Sequence, residues 1–139
     1  MFDAARNGDQ ALLLAAVDSG LPVNMTNAQG NTLLMLASYA GHAQLAQDLL
    51  SRGADPNRLN DRGQSVVAGA VFKGYDDVVQ VLMRNGADPR MGQPTAIETA
   101  VMFGKGKALL DVLGAKEGDV REGVPLSPAV VNAAAQAGS

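Results

Sequence analysis

The chain predicts an all-α solenoid of stacked helix–turn–helix repeats joined by hairpin loops, and three observations carry that prediction. Gly20, Gly53 and Gly86 are spaced 33 residues apart, and so are Gly8, Gly41 and Gly74. Asn24 and Asn57 keep the same step, as do Gly30 and Gly63. Between these markers each unit reads turn, short helix, Gly-bearing turn, second helix and Gly stop. A fixed period with one small helical unit per step marks an array in which each unit buries its apolar face only against its neighbours.

The first unit, about residues 1–26, is truncated and opens inside its first helix at Phe2-Asp-Ala-Ala-Arg-Asn-Gly8. Its second helix is expected over about Asp9 to Ser19, where Leu12, Leu13, Ala16 and Val17 recur as one apolar stripe. Gly20 stops it by tolerating the left-handed conformation, and Asn27-Ala-Gln-Gly30 makes the next turn. In the second unit, about 27–59, Thr32 is placed to cap the first helix with its hydroxyl. Leu33, Leu34 and Ala37 face the core, and Ala37-Ser38 is small enough for helices to approach closely. His42 opens the second helix, whose inner face is Leu45, Leu49 and Leu50.

The third unit, about 60–91, repeats this with Ser65 capping, Val67 and Ala70 inside, and Val78, Val79, Leu82 and Met83 along the second helix. Asp76 and Asp77 fall in that helix's first turn, where negative charge complements the macrodipole, and read as capping residues. The fourth unit, about 92–115, breaks the period: Gly74 to Gly104 and Ala70 to Ala100 are both 30 apart. The missing residues fall between Gly86-Ala-Asp-Pro89 and Pro94-Thr95, so this hairpin tip is expected to be shorter. Thr95 caps, Ile97 and Ala100 point inward, and Ala108, Leu109, Val112 and Leu113 form the second helix, with Lys105 and Lys107 in solvent. Residues 116–123 are polar and Gly-rich, reading as a linker. Ser127-Pro128 then opens a short Ala-rich helix through about Ala137, with Val124, Leu126, Val130 and Val131 able to dock on the last repeat.

Bulk properties narrow the function. A net charge of −3 argues against nucleic acid or an anionic membrane as partner. No run of 18 apolar residues occurs, so no membrane span is expected. Met1-Phe-Asp-Ala-Ala-Arg lacks a basic region followed by an apolar one, so no secretory signal is expected and the cytoplasm is the expected location. The absence of Cys excludes disulfides and thiolate chemistry, and a single His removes most metal sites. No cofactor is expected.

The second unit reads Gly30-Asn-Thr-Leu-Leu-Met-Leu-Ala-Ser-Tyr-Ala-Gly-His42 and closes Gly53-Ala-Asp-Pro-Asn57; the third gives Gly63-Gln-Ser-Val-Val67 and Gly86-Ala-Asp-Pro89. In these residues the chain resembles the ankyrin-repeat family over roughly Phe2 to Ala115, in the manner of small stand-alone bacterial ankyrin-repeat proteins. It departs from the family at Leu33, Val66 and Ala96, where Pro is usual, and at Met35, Ala68 and Glu98, where His is usual. The hydrogen bonds the family builds around that His are therefore expected to be missing.

No catalytic residue is predicted. His42 falls on a family position at a helix start rather than beside a nucleophile. Phe103-Gly-Lys-Gly-Lys107 lacks the spacing and hydroxyl of a phosphate loop. Asp55 to Asp61 puts Arg58 and Leu59 where a calcium loop needs ligands.

What remains is surface. The residues before each connecting Gly give Arg6, Tyr39, Phe72 with Lys73, and Met102 with Phe103, positions that the resemblance places along a concave groove. Large side chains on every rung, in a chain with three Phe, two Tyr and no Trp, suit a binding ladder. In the competing reading, Tyr39 and Phe72 fold back on neighbouring rungs. Met35 is assigned to the same face, and Gln29, Asn31, Asp61, Arg62 and Gln64 to a polar rim at the hairpin tips.

The expected function is a non-catalytic protein–protein interaction module. Its partner is another protein, and the module is expected as a monomer, with a homotypic contact through the tail left open. An alternative is a dedicated regulator or inhibitor of one bacterial enzyme or toxin. A remote one is a small hydrolase using Asp61 or Asp76 and Asp77.

Overall fold

Three hydroxyl side chains set where the inner helices begin. Thr32 Oγ1 accepts from Met35 N, Ser65 Oγ from Ala68 N and Thr95 Oγ1 from Glu98 N, each at 3.1 Å. Each bond satisfies a backbone donor that has no partner inside its own helix. At Thr95 the cap is reciprocal, because Thr95 N donates to Glu98 Oε1 at 3.0 Å.

The computed structural model describes residues 1–115. Its elements are α1 (Phe2–Asn7), α2 (Gln10–Asp18), α3 (Leu33–Tyr39), α4 (Ala43–Ser51), α5 (Val66–Lys73), α6 (Asp76–Arg84), α7 (Ala96–Met102) and α8 (Lys107–Val112). The linker and helix expected beyond residue 115 lie outside the described residues. Helices α1, α3, α5 and α7 stack in one layer, and α2, α4, α6 and α8 in a second. The described residues contain no strand, only an isolated bridge between Thr26 and Thr32. Among the described residues no helix is long and apolar enough to cross a membrane.

The core runs continuously between the layers as columns of equivalent residues. Ala4, Ala37, Ala70 and Ala100 are all buried, and so are Leu13, Ala46, Val79 and Leu110. Alanine in the first column lets adjacent inner helices approach closely, while the larger residues of the second fill the space towards the outer layer. Two apolar stripes face differently from their sequence pattern. In α2, Leu13 is buried but Leu12 is exposed. In α8, Leu110 and Leu113 point inward, and Val112 faces out.

Hydrogen bonds across the loops repeat with the period. Asn24 Nδ2 donates to Gly53 O at 3.2 Å, and its Oδ1 accepts from Asp55 N at 2.8 Å. One step on, Asn57 makes the same pair with Gly86 O at 3.0 Å and Asp88 N at 2.6 Å. Arg90 takes the third step, its guanidinium reaching Gly114 O at 2.8 Å. At the tips, Asn27 and Asn60 each accept two backbone N–H bonds through Oδ1, holding the turns shut. The tips also join, through Asp61 N to Gln29 O at 3.1 Å and Asn60 Nδ2 to Asn31 Oδ1 at 2.9 Å. The loop shortened by the deletion takes another path. Gln93 N donates to Gly63 O at 3.0 Å, and Gly92 sits against Gly63 and Ser65, so this segment lies down on the third unit.

Replacing Asn57 with Ala removes both of its inter-unit bonds, each with a net contribution of about 0.5–1.5 kcal/mol. Urea unfolding is expected to show a loss of about 1–2 kcal/mol, and an unchanged midpoint would remove the ladder from the account of stability.

Candidate partner groove

The ring of Tyr39, at the end of α3, lies across Gly69 in the middle of α5. A Cβ on Gly69 would run into that ring, so the close approach depends on glycine. The phenol reaches back to the third unit, with Oη 3.5 Å from Ser65 O. Tyr39 therefore folds against its neighbouring rung.

Phe72 occupies the same place one period later, yet it does not fold back. The residue standing where Gly69 stands, allowing for the three-residue deletion, is Thr99. Its branched side chain is buried, with Oγ1 donating to Thr95 O at 2.8 Å. The pocket that receives Tyr39 is thus filled one rung on, and Phe72 stays 55% exposed. It meets Phe103, 52% exposed, edge to face, with ring centroids 5.1 Å apart and planes at 80°.

These rings form one wall of a groove of about 450 Å³, lined by Tyr39, Gln64, Ala68, Gly69, Phe72, Lys73, Pro94, Thr99, Met102 and Phe103. Six residues expected from the sequence are brought together here: Tyr39, Gln64, Phe72, Lys73, Met102 and Phe103. Arg6 is not among them. It lies on the first rung, exposed, paired to Asp3 at 2.9 Å. Gln29, Asn31, Asp61 and Arg62 sit at the linked hairpin tips, outside the groove lining. Met35 is a correction. At 1% exposure it belongs to the core and has no surface to offer a partner. Ala68, Gly69, Pro94 and Thr99 escaped the sequence reading. Only Gly69 carried a signal, as an isolated glycine within a helical pattern.

The other singled-out groups have structural roles. His42 opens α4, its Nε2 donating to Arg6 O at 2.8 Å, with the ring against Gly8. Tyr75 leans on Gly41 in the same way. Asp76 and Asp77 are exposed in the first turn of α6. Glu98, at a position where a family His was expected, is buried and supplies the reciprocal cap, so a different polar bond replaces the missing one there. Among the described residues no three His, Cys, Asp or Glu side chains group closely enough to hold a metal ion.

The family model "Ankyrin repeats (3 copies)" matches residues 1–93. The chain belongs to the ankyrin-repeat family. Ankyrin repeat domain-containing protein 29 of Danio rerio is 45% identical over 56 residues, which are 40% of this chain and 19% of that protein. An ankyrin repeat protein of Pseudomonas aeruginosa is 51% identical over 43 residues, 31% of this chain and 25% of the relative. The chain thus matches a quarter or less of the length of these relatives. Among solved structures, the human ASB11 ankyrin repeat domain superposes with a TM-score of 0.71 at 26% identity, covering 81% of this chain and 52% of that one. Helices α7 and α8 lie beyond the residues matched by the family model, yet they continue the ankyrin stack. Ankyrin repeats are in general protein–protein interaction modules.

Two outcomes follow from the Tyr39 contact. Gly69→Ala should destabilise the protein by about 1–3 kcal/mol through overpacking, although Ala is the better helix former. In a Tyr39→Ala background the same change should become stabilising, by about 0.5–1 kcal/mol, and a double-mutant cycle reads that reversal. Burial also pushes the Tyr39 phenol up to about 12 from 10.0. The fold favours the neutral phenol, so this contribution is fully present below pH 10 and is lost as pH rises through about 12. Denaturant unfolding across that window should show a fall, of order 1–3 kcal/mol, that Tyr39→Phe lacks.

Proposed function

We propose that the chain is a non-catalytic ankyrin module of four repeats over residues 1–115 that binds another protein through the groove between its second and fourth units. The observation that carries this reading is the Phe72–Phe103 pair. Two of the five aromatic residues of the chain are held against each other with about half their surface in water. Core packing does not account for that placement, since Thr99 keeps Phe72 out of the stack. Contiguous apolar surface beside a few polar groups is what a partner covers. Gln64 and Lys73 supply polar and charged contacts at its edges, and the joined hairpin tips with Gln29, Asn31, Asp61 and Arg62 extend the rim. Arg6, on the first rung, would engage only a partner long enough to follow the whole stack.

Capture from a cell lysate, with wild type beside Phe72→Ala/Phe103→Ala, tests the proposal. Both side chains are half exposed, so circular dichroism and thermal midpoint should change little. A partner held by wild type should be lost by the variant, with a hot-spot loss of about 2 kcal/mol or more, roughly 30-fold in affinity. Equal recovery by both proteins would move binding away from the groove.

A further inference from the structure

Resting on the groove reading, we infer that the occupant is an acidic segment of a partner protein, with an aromatic or branched apolar anchor followed closely by carboxylates. The anchor meets the exposed edge-to-face pair of Phe72 and Phe103, with the adaptable thioether of Met102 beside it. The carboxylates meet Lys73 and Lys105 at one end of the groove. Lys73 lines the groove itself. Lys105 folds toward it, its Nζ 3.7 Å from where a Cβ would sit on Gly74, the next residue after Lys73. Lys107 follows, exposed, in the first turn of α8.

None of the three lysines makes an ion pair among the described residues. Asp76 and Asp77, in the first turn of α6, and Asp111, one turn after Lys107 in α8, pair with none of them. Lys73 lies in the last turn of α5 and offsets the carbonyl end of that helix, and Lys105 stands over Gly74 where Tyr75 stands over Gly41 and His42 over Gly8. Lys105 and Lys107 sit at the start of α8, where a positive charge opposes the helix dipole. The equivalent turn of α6 carries Asp76 and Asp77, the residues that helix physics prefers. In a chain of net charge −3, this departure places unpaired positive charge near the exposed Phe72–Phe103 pair. A groove with aromatic walls and a cationic end complements an anchor-plus-acid sequence and repels a basic one.

The test is selection of random dodecapeptides displayed on phage against the full chain, with an unrelated ankyrin array as counter-target. Enriched sequences should carry Phe, Trp or Leu within a few residues of Asp or Glu. A synthetic peptide of that kind should bind more weakly as salt rises, about three- to tenfold more weakly to Lys73→Gln/Lys105→Gln, and undetectably to Phe72→Ala/Phe103→Ala. Neutral or basic peptides that still need the Phe pair would overturn the acidic specificity and leave the groove reading standing. Peptides indifferent to the Phe pair would overturn both, as would a lack of enrichment over the counter-target. The salt dependence uses wild-type protein alone, so it stands even if a lysine variant folds poorly.

Discussion

A pair of helices as short as α3 and α4 cannot bury its own apolar faces, and that constraint shapes the rest of the molecule. Seven or nine residues of helix are marginal in water by themselves. They become stable only when both faces of the unit meet another unit, so equivalent positions must carry compatible volumes. The buried column Ala4, Ala37, Ala70 and Ala100 is the tightest expression of this. A larger residue in one rung would push apart two neighbours at once. The Asn24 and Asn57 bridges then lock the loop bases at the spacing that the alanines set.

Most of this was legible in the sequence because it repeats. The glycine and asparagine steps, the caps at Thr32, Ser65 and Thr95, and the inward faces of α3 to α7 are local patterns seen several times over. Features that do not repeat were harder to read. Leu12 and Leu13 are adjacent in one apolar stripe, and the stripe alone does not say which of them is buried. Met35 is assigned to the groove face from the sequence, whereas its apolar side chain inserts into the core. In α8 the inward pair is Leu110 and Leu113, since the helix starts one residue later after Gly104 than α6 does after Gly74.

The groove lies between those extremes. Its aromatic ladder is visible as Tyr39, Phe72 and Met102 with Phe103, but the ladder does not behave uniformly. Whether a ring packs or projects is decided by a residue on the next inner helix, Gly69 for Tyr39 and Thr99 for Phe72, a coupling that no local pattern reveals. Leu36, Gly69 and Thr99 occupy that column, and only glycine admits a ring.

That column shows how an ankyrin stack can trade packing for recognition without altering its frame. Tyr39 over Gly69 uses an aromatic ring to join the second unit to the third. Thr99 closes the matching space one step later while keeping its own cap-linked hydrogen bond, so α7 remains well packed and the displaced Phe72 is left for Phe103. The deletion before α7 works in the same direction, since the shortened loop lies down on Gly63 and Ser65 and brings Pro94 into the groove wall. The stack stays continuous, yet its fourth unit has a shorter outer helix, and an arginine in place of the bridging asparagine. A partner seated across Phe72 and Phe103 would span α5 and α7. Binding and the integrity of this end would then be coupled by mass action, with occupancy stabilising the fold in proportion to the logarithm of partner concentration over Kd.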